Sequence, residues 1–306
     1  MIKSFVLGMD FGGTKMALAT ADEQGEILER QNLSTLSDAD QAVSCALEAA
    51  QHLIFKTQDR YHATLHAVGV ATMGITQNEG VFLAPNVTGW NNLQLPKVFK
   101  AAFGDTPVLI ANDVKSAALA ETKWGALEGI DPGIFVNLGT GIAVAIVVRG
   151  LIVQGAHGAS GEIAYNPLSE NDRRGVRNGF APLENKVGGG PIQHQALREL
   201  GLDLSAGEIF RRARHNSAIR MWVDSIVRTL SFQLSHLVIA LDPQRVVVGG
   251  GLVTARDMIL PPLIQYFEEF VPFPPQVVPA HFQGDASLMG AVAMAVEASQ
   301  KFSEKF

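Results

Sequence analysis

The sequence contains almost no cysteine: Cys45 is the single one among 306 residues. A lone cysteine excludes an internal disulfide and any multi-cysteine metal cluster, and it is typical of a protein in a reducing compartment. Long apolar runs are missing too, because the run at 142–148 is far shorter than the roughly 20 residues of a membrane-spanning helix. The first residues, MIKSF, lead into a predicted strand and not into a signal peptide. We therefore expect a cytoplasmic location and no membrane partner.

Basic charge is also scarce. The chain has 24 Lys and Arg residues against 30 Asp and Glu, a net charge of -6, and no basic stripe with interleaved aromatic residues. Such a stripe is the electrostatic footprint of a nucleic-acid binder, so we expect no nucleic-acid partner. Hydrophobic residues, by contrast, make up 47% of the chain and charged residues only 18%. A chain of this length and composition can bury the cores of two domains.

Two segments of the chain share one pattern of strand, turn, strand, turn and strand. The first begins at FVLGMD and continues through FGGTK, and the second is IFVNLGTGIAVAIVVRGLIVQG at 134–155. In each segment the first turn contains Gly and Thr, so the pattern predicts two related α/β domains that face each other. Helical periodicity is found at 38–56, 114–127, 225–243 and 288–298.

The first glycine turn follows an aspartate at the end of an apolar strand. Gly12 and Gly13 leave backbone N–H groups uncovered, and Thr14 adds a hydroxyl, which together suit a phosphate. Asp10 would repel a bare phosphate, but Mg²⁺ accepts carboxylate and phosphate oxygens together. The stretch therefore predicts a site for a metal–nucleotide, and a plain hairpin turn is the alternative.

Other nucleotide motifs do not fit this stretch. The dinucleotide fingerprint requires a different glycine spacing and must open a helix, whereas GMDFGG precedes a predicted strand. The P-loop pattern with its Lys-Ser/Thr ending is also missing.

The second segment repeats the glycine turn at Gly139, Thr140 and Gly141. Two such turns could bind adjacent phosphates of one nucleotide. Gly249, Gly250 and Gly251 follow a buried strand and would let a base and ribose lie against bare backbone.

Asn112 and Asp113 stand between a predicted strand and a predicted helix. One interpretation is that Asp113 is only the N-cap of that helix. The other is that its carboxylate accepts the proton of an attacking hydroxyl during phosphoryl transfer, as a general base.

A polyhydroxylated ligand needs side-chain acceptors and donors, and candidates are Asn86, Asn112, Glu162 and Glu184. Taken singly, a loop glutamate is more often solvated surface. For Trp90 we expect packing in preference to a contact with the ligand.

At this point the motifs resemble the ROK family of sugar kinases, named for repressors, open reading frames and kinases, within the actin/hexokinase-like ATPase superfamily. The resemblance covers nearly the whole chain, in the order DFGGTK, APNVTGW, NDVKSAALAE, VNLGTGIAVAIVVRG, GASGEIAYNPL, PLEN, VVVGGGLV and GDASLMGA. It implies an α/β fold of two ribonuclease-H/actin-like domains that face an interdomain cleft. We place these domains at 1–112 plus 289–306 and at 113–288.

The resemblance further implies ATP- and Mg²⁺-dependent phosphorylation of a hexose, usually at its 6-hydroxyl, with Asp113 as the base, in a homodimer. The predicted sugar contacts are Asn86, Asn112, Asp113, Glu162, Tyr165 and Glu184. The predicted ATP contacts are Asp10 (through Mg²⁺), Gly12, Gly13, Thr14, Lys15, Gly139, Thr140, Gly141, Gly249, Gly250 and Gly251.

The chain departs from the family in two places. Many members carry a zinc-binding cysteine cluster before the glutamate that matches Glu184, but this chain has no cysteine at 170–184, so we expect no structural zinc. The family's Glu-x-Gly-His is here Glu162-Ile163-Ala164-Tyr165, and a neutral phenol in place of the histidine changes the contacts offered to the sugar.

Family repressors place a helix-turn-helix ahead of the first glycine turn, and here that turn begins within about ten residues of the start, so we expect no such module. The predicted function is a kinase for glucose, fructose or mannose. The alternatives are a kinase for N-acetylmannosamine, N-acetylglucosamine or a cyclitol, and a sugar-binding sensor without catalysis.

Overall fold

Each half of the chain folds around its own five-stranded sheet in the computed structural model, which describes residues 2–77, 80–82, 89–90 and 93–303. The strands are β1 (Ser4–Phe11), β2 (Lys15–Ala21), β3 (Ile27–Ser34), β4 (Thr64–Thr72), β5 (Ile75–Gln77), β6 (Gly80–Phe82), β7 (Val108–Asn112), β8 (Gly133–Leu138), β9 (Ile142–Val148), β10 (Leu151–Ile152), β11 (Arg245–Gly249) and β12 (Gln276–Pro279). The helices are α1 (Ala39–Tyr61), α2 (Leu95–Phe103), α3 (Asp113–Trp124), α4 (Pro182–Val187), α5 (Gly189–Leu200), α6 (Ala206–Ala213), α7 (Ser217–Leu241), α8 (Arg256–Phe270) and α9 (Ala286–Ser303).

The chain divides into two compact units. The first contains Met1–Lys123, Gln154–Ala159 and Asp285–Phe306, and the second contains Trp124–Val153 and Ser160–Gly284. Helix α3 therefore packs mainly with the first unit, although the sequence assigned 113 onward to the second domain. The domain boundaries at 1–112 plus 289–306 and at 113–288 remain a prediction.

Both sheets have the same topology, which confirms the predicted pair of related α/β halves. The order is β3-β2-β1-β4-β7 in the first unit and β10-β9-β8-β11-β12 in the second. In each sheet three consecutive strands form an antiparallel meander. A fourth strand pairs in parallel with the first strand of the meander, and a fifth pairs in parallel with the fourth. Parallel strands end at the same edge of a sheet, so the end of β1 lies beside the ends of β4 and β7, with Phe11 next to Thr72 and Thr72 next to Asn112.

Glycines let α9 pack directly on the first sheet and on α3. A Cβ atom at Gly69 in β4 would lie 1.9 Å from the Ala291 carbonyl oxygen, and one at Gly290 would lie 1.9 Å from the Ser116 carbonyl oxygen. No other residue type permits so close an approach of two backbones. Alanines of α1 cover the opposite side of this core, where Trp90 is fully buried and donates from Nε1 to the Thr72 hydroxyl at 3.0 Å. The prediction that Trp90 serves packing is confirmed.

Two helices differ from the sequence pattern at their ends. Helix α3 ends at Trp124, before the predicted 127, and Gly125 follows it. Helix α7 begins at Ser217, well before 225, because the Asn216 side chain accepts from the Ile219 N–H at 3.1 Å and caps it. Across the described ranges no helix combines the length and the hydropathy that a bilayer crossing requires.

Candidate functional site

The first glycine turn, Gly12–Thr14, joins β1 to β2. The Gly12 N–H donates to the Lys15 carbonyl oxygen at 3.2 Å, and a Cβ atom at Gly12 would lie only 2.7 Å from that oxygen. Gly13, Thr14 and Lys15 are exposed. Neither the Gly13 N–H nor the Thr14 N–H donates to any acceptor in the described part of the chain. Both are therefore available to an anionic ligand, as a phosphate-binding turn requires.

Asp10 and Asp113 lie at the carboxyl edge of the first sheet. Burial, and then the charge of Asp113, raise the pKa of Asp10 to about 7, while Lys15 lowers it and Asp285 raises it further. Burial raises the pKa of Asp113 to about 6, against the opposing effect of the Val114 N–H, which donates to Asp113 Oδ1 at 2.9 Å. Both carboxyl groups are thus more basic than an ordinary aspartate.

The N-cap of α3 is Asn112 and not Asp113. Asn112 Oδ1 accepts from the N–H groups of Val114 at 2.9 Å and Lys115 at 3.2 Å, and Asn112 Nδ2 donates to the Gly74 carbonyl oxygen at 2.8 Å. The alternative in which Asp113 serves only as the N-cap is therefore wrong. Since the cap is supplied by its neighbour, Asp113 has a carboxylate oxygen left for another partner.

The surroundings of Asp10 fit a magnesium ion. No hydrogen-bond donor of the described residues reaches its carboxylate, and a neighbouring like charge disfavours its ionised form. Within the same residues, no three His, Cys, Asp or Glu side chains cluster so as to hold a metal ion by themselves. Magnesium commonly takes one or two protein carboxylates and completes its shell with phosphate oxygens and water. Asp10 is a suitable protein ligand for that arrangement.

The second glycine turn, Gly139–Gly141, joins β8 to β9 in the second unit. Its carbonyl oxygens are held by the start of α5: the Gly189 N–H donates to Gly139 at 3.0 Å and the Gly190 N–H donates to Thr140 at 2.9 Å. The backbone of this turn is therefore fixed from one side, and Thr140 is exposed on it.

Three predicted sugar contacts of the second unit come together beside this turn. The Ile142 N–H donates to Glu184 Oε2 at 3.2 Å, and a Cβ atom at Gly141 would lie 2.0 Å from that same oxygen. Burial raises the pKa of Glu184. Burial, then the charge of Glu162, then that of Glu184 raise the pKa of the Tyr165 phenol, so the phenol stays neutral. The effect of both charges indicates that Glu162 and Glu184 lie near the Tyr165 side chain.

The glycines after β11 do not all serve one purpose. A Cβ atom at Gly249 would lie 2.6 Å from the Phe135 ring, and one at Gly250, which has a φ of 88°, would lie 2.4 Å from the Leu138 carbonyl oxygen. Packing inside the second unit already requires both glycines. Gly251 has open space within 4 Å of its Cβ position, and only there is the backbone bare towards a ligand. The nucleotide contacts of all three remain a prediction.

Sequence reasoning missed two groups, one in each unit. Asp285 receives two bonds of 2.7 Å from the Arg30 guanidinium, which lowers the pKa of Asp285, and its charge acts on Asp10. The only signal for Asp285 was its place in GDAS before the last helix. The glycines at 188–190 were not singled out either, and no local pattern predicts their contact with the second glycine turn, which lies some fifty residues earlier in the chain. Asn86 lies outside the described residues.

Comparisons with known proteins agree with this fold. A sequence model of the ROK family matches residues 6–298. The chain is 27% identical to a glucokinase of Halalkalibacterium halodurans, over 88% of this chain and 87% of that protein. It is 29% identical to an N-acetylmannosamine kinase of Escherichia coli, over 94% of this chain and 97% of that protein.

A solved structure is similar along the whole chain. The ROK family glucokinase from Streptomyces griseus, in complex with glucose and AMPPNP, superimposes with a TM-score of 0.79 over 96% of this chain and 100% of that one, at 24% identity. This likeness shows that the two proteins share a fold. Because the family match extends over nearly all of the sequence, the chain belongs to the ROK family.

Proposed function

We propose that this protein is an ATP-dependent sugar kinase that transfers the γ-phosphoryl group of ATP to the 6-hydroxyl of a hexose of the glucose, fructose or mannose type. The observation that carries the proposal is the Asp113 carboxylate, which lies where β7 meets α3 and has its pKa raised to about 6. A base of this strength is ionised at neutral pH and still takes a proton readily in a transition state. The kinase names of the relatives support the same reaction.

The reaction follows from the groups of the first unit. The sugar hydroxyl gives its proton to Asp113 while its oxygen attacks the γ-phosphorus in line, ADP leaves, and Asp113 later returns the proton to water. The N–H groups of Gly13 and Thr14, with Lys15, bind phosphate oxygens. Mg²⁺, when bound, neutralises phosphate charge, and Asp10 is its protein ligand.

The predicted contacts of the second unit are part of the proposal as well. We assign Gly139, Thr140, Gly141 and the 249–251 glycines to the nucleotide. Glu162 and Glu184 are acceptors for sugar hydroxyls, and the Tyr165 phenol is a donor next to them. A homodimer in the cytoplasm, without structural zinc, completes the proposal.

A kinase for an N-acetylhexosamine is the second candidate. The identity to an N-acetylmannosamine kinase, 29%, is as high as the identity to the glucokinases. Tyr165 in place of the family histidine also lies in the group of side chains assigned to the sugar. A cyclitol kinase would use the same phosphate and base residues and stays an alternative. A non-catalytic sensor is less well supported, because Asp10, Asp113 and both glycine turns are present.

The test is an ADP-release assay with Mg·ATP over glucose, fructose, mannose, allose, N-acetylglucosamine, N-acetylmannosamine and a cyclitol. Asp113→Asn keeps the size of the side chain but removes the base, so it should bind the sugar and lose at least about a hundredfold in kcat. Asp105→Asn is a matched control, because that carboxylate is fully exposed and forms an ion pair with the exposed Lys100. Near-normal turnover in Asp113→Asn would refute the role of Asp113. Sugar binding without ADP release by the wild type would identify a sensor.

A further inference from the structure

Thr35 holds the first glycine turn from outside the glycine motif. It lies directly after β3, and its hydroxyl donates to the Gly12 carbonyl oxygen at 2.7 Å. Its backbone N–H donates to the Thr14 carbonyl oxygen at 3.1 Å. Thr35 therefore forms hydrogen bonds to both ends of the turn, with its side chain at one end and its backbone at the other.

The bond from the Thr35 hydroxyl decides which group of the Gly12–Gly13 peptide the turn offers to a ligand. The carbonyl of Gly12 and the N–H of Gly13 belong to one planar trans peptide and point in opposite directions. When the Gly12 carbonyl points to Thr35, the Gly13 N–H must point away from Thr35, and it has no acceptor among the described residues. A carbonyl turned towards a phosphate would repel it, whereas an N–H attracts it.

We propose that Thr35 is a positioning residue for the phosphates of ATP: its hydroxyl fixes the Gly12–Gly13 peptide so that the Gly13 N–H, and not the Gly12 carbonyl oxygen, faces the nucleotide. This inference rests on the proposed binding of Mg·ATP at the first turn. In this proposal Thr35 acts through the backbone of the turn. A turn already fixed before binding avoids the entropic cost of ordering it when the nucleotide arrives.

Thr35→Val tests the inference, because valine keeps the β-branched shape and the backbone N–H and removes only the hydroxyl. Calorimetry would measure the Kd of the non-hydrolysable analogue Mg·AMPPNP and, separately, the Kd of the sugar. We expect the Kd of Mg·AMPPNP to rise about five- to tenfold, the size of one ordering hydrogen bond, and the sugar Kd to stay unchanged. Thr35→Ser retains a hydroxyl and should restore the wild-type Kd of Mg·AMPPNP.

Thr64→Val is the matched control. Thr64 is an exposed threonine at the start of β4 whose hydroxyl lies 3.5 Å from the Lys3 carbonyl oxygen, far from the glycine turn in sequence. The Kd of Mg·AMPPNP for the Thr64→Val variant should equal its Kd for the wild type. A circular-dichroism melt of each variant shows that it is folded before binding is measured.

The outcomes separate this inference from the proposed function. Wild-type-like nucleotide affinity in folded Thr35→Val, or an equal loss in Thr35→Ser, would overturn the role of the hydroxyl. A wild type that binds Mg·AMPPNP but releases no ADP with any sugar contradicts the proposed kinase and leaves the Thr35 result valid. A wild type that does not bind Mg·AMPPNP contradicts both.

Discussion

At the scale of single residues, the basicity of Asp113 predicts how the reaction depends on pH. Burial raises the pKa of this carboxyl group to about 6, and only its ionised form can accept the hydroxyl proton. Turnover should therefore be constant above pH 7 and fall about tenfold per pH unit below pH 6. The measurement is kcat against pH at saturating Mg·ATP, where the proposed Mg²⁺ ligation would keep Asp10 ionised. A flat profile between pH 5 and 8 would contradict a base with this pKa.

The same residues show what sequence reasoning can reach. Asp10, the glycine turns and Asp113 could be singled out because each belongs to a short motif whose members are neighbours in the chain. The assignment of the helix cap could not be decided, since Asn112 and Asp113 are both good caps and only the geometry shows that Asn112 accepts from the Lys115 N–H as well as from Val114. Thr35 could not be found at all, because its partner Gly12 is 23 residues away.

At the scale of secondary-structure elements, Gln233 of α7 connects that helix to the segment that carries Tyr165. Gln233 is buried, its Nε2 donates to the Pro167 carbonyl oxygen at 3.1 Å, and its Oε1 accepts from Asn166 Nδ2 at 3.3 Å. Gln233→Leu would leave both partners without their bonds, so the free energy of unfolding should fall by about 1–3 kcal/mol. Urea denaturation monitored by circular dichroism measures this loss.

The control for that loss is Gln51→Leu, an exposed glutamine on α1, which should change the free energy of unfolding by less than about 0.5 kcal/mol. Asn166→Ala should then cost less in the Gln233→Leu background than in the wild type, because the shared bond is already gone. Equal costs of Asn166→Ala in both backgrounds would contradict the connection between α7 and the Tyr165 segment.

The sequence predicts those elements that have local signals, and it misses features that depend on distant contacts or on a cap outside the apolar pattern. The two meanders are evident in the sequence because period-two apolar patterns and glycine turns are local signals. The packing of α9 on β4 depends on Gly69 meeting Ala291, two positions that no local pattern connects. The early start of α7 depends on the Asn216 cap, which lies outside the apolar pattern that predicted the helix.

At the scale of the whole molecule, hydrophobic cores in both units stabilise the fold, and we predict that no structural metal adds to them. A structural zinc ion present at a thousand times its Kd would raise the free energy of unfolding by about 4 kcal/mol. Its removal would lower Tm by roughly 8–16 °C for units of this size, at about 2–4 °C per kcal/mol. We expect a chelator to shift Tm by less than about 2 °C, because loss of a weakly bound Mg²⁺ costs little. Activity should disappear with the chelator and return with excess Mg²⁺ alone. A large fall in Tm that zinc but not magnesium reverses would contradict this prediction, because it would show a structural zinc site built from residues other than cysteine.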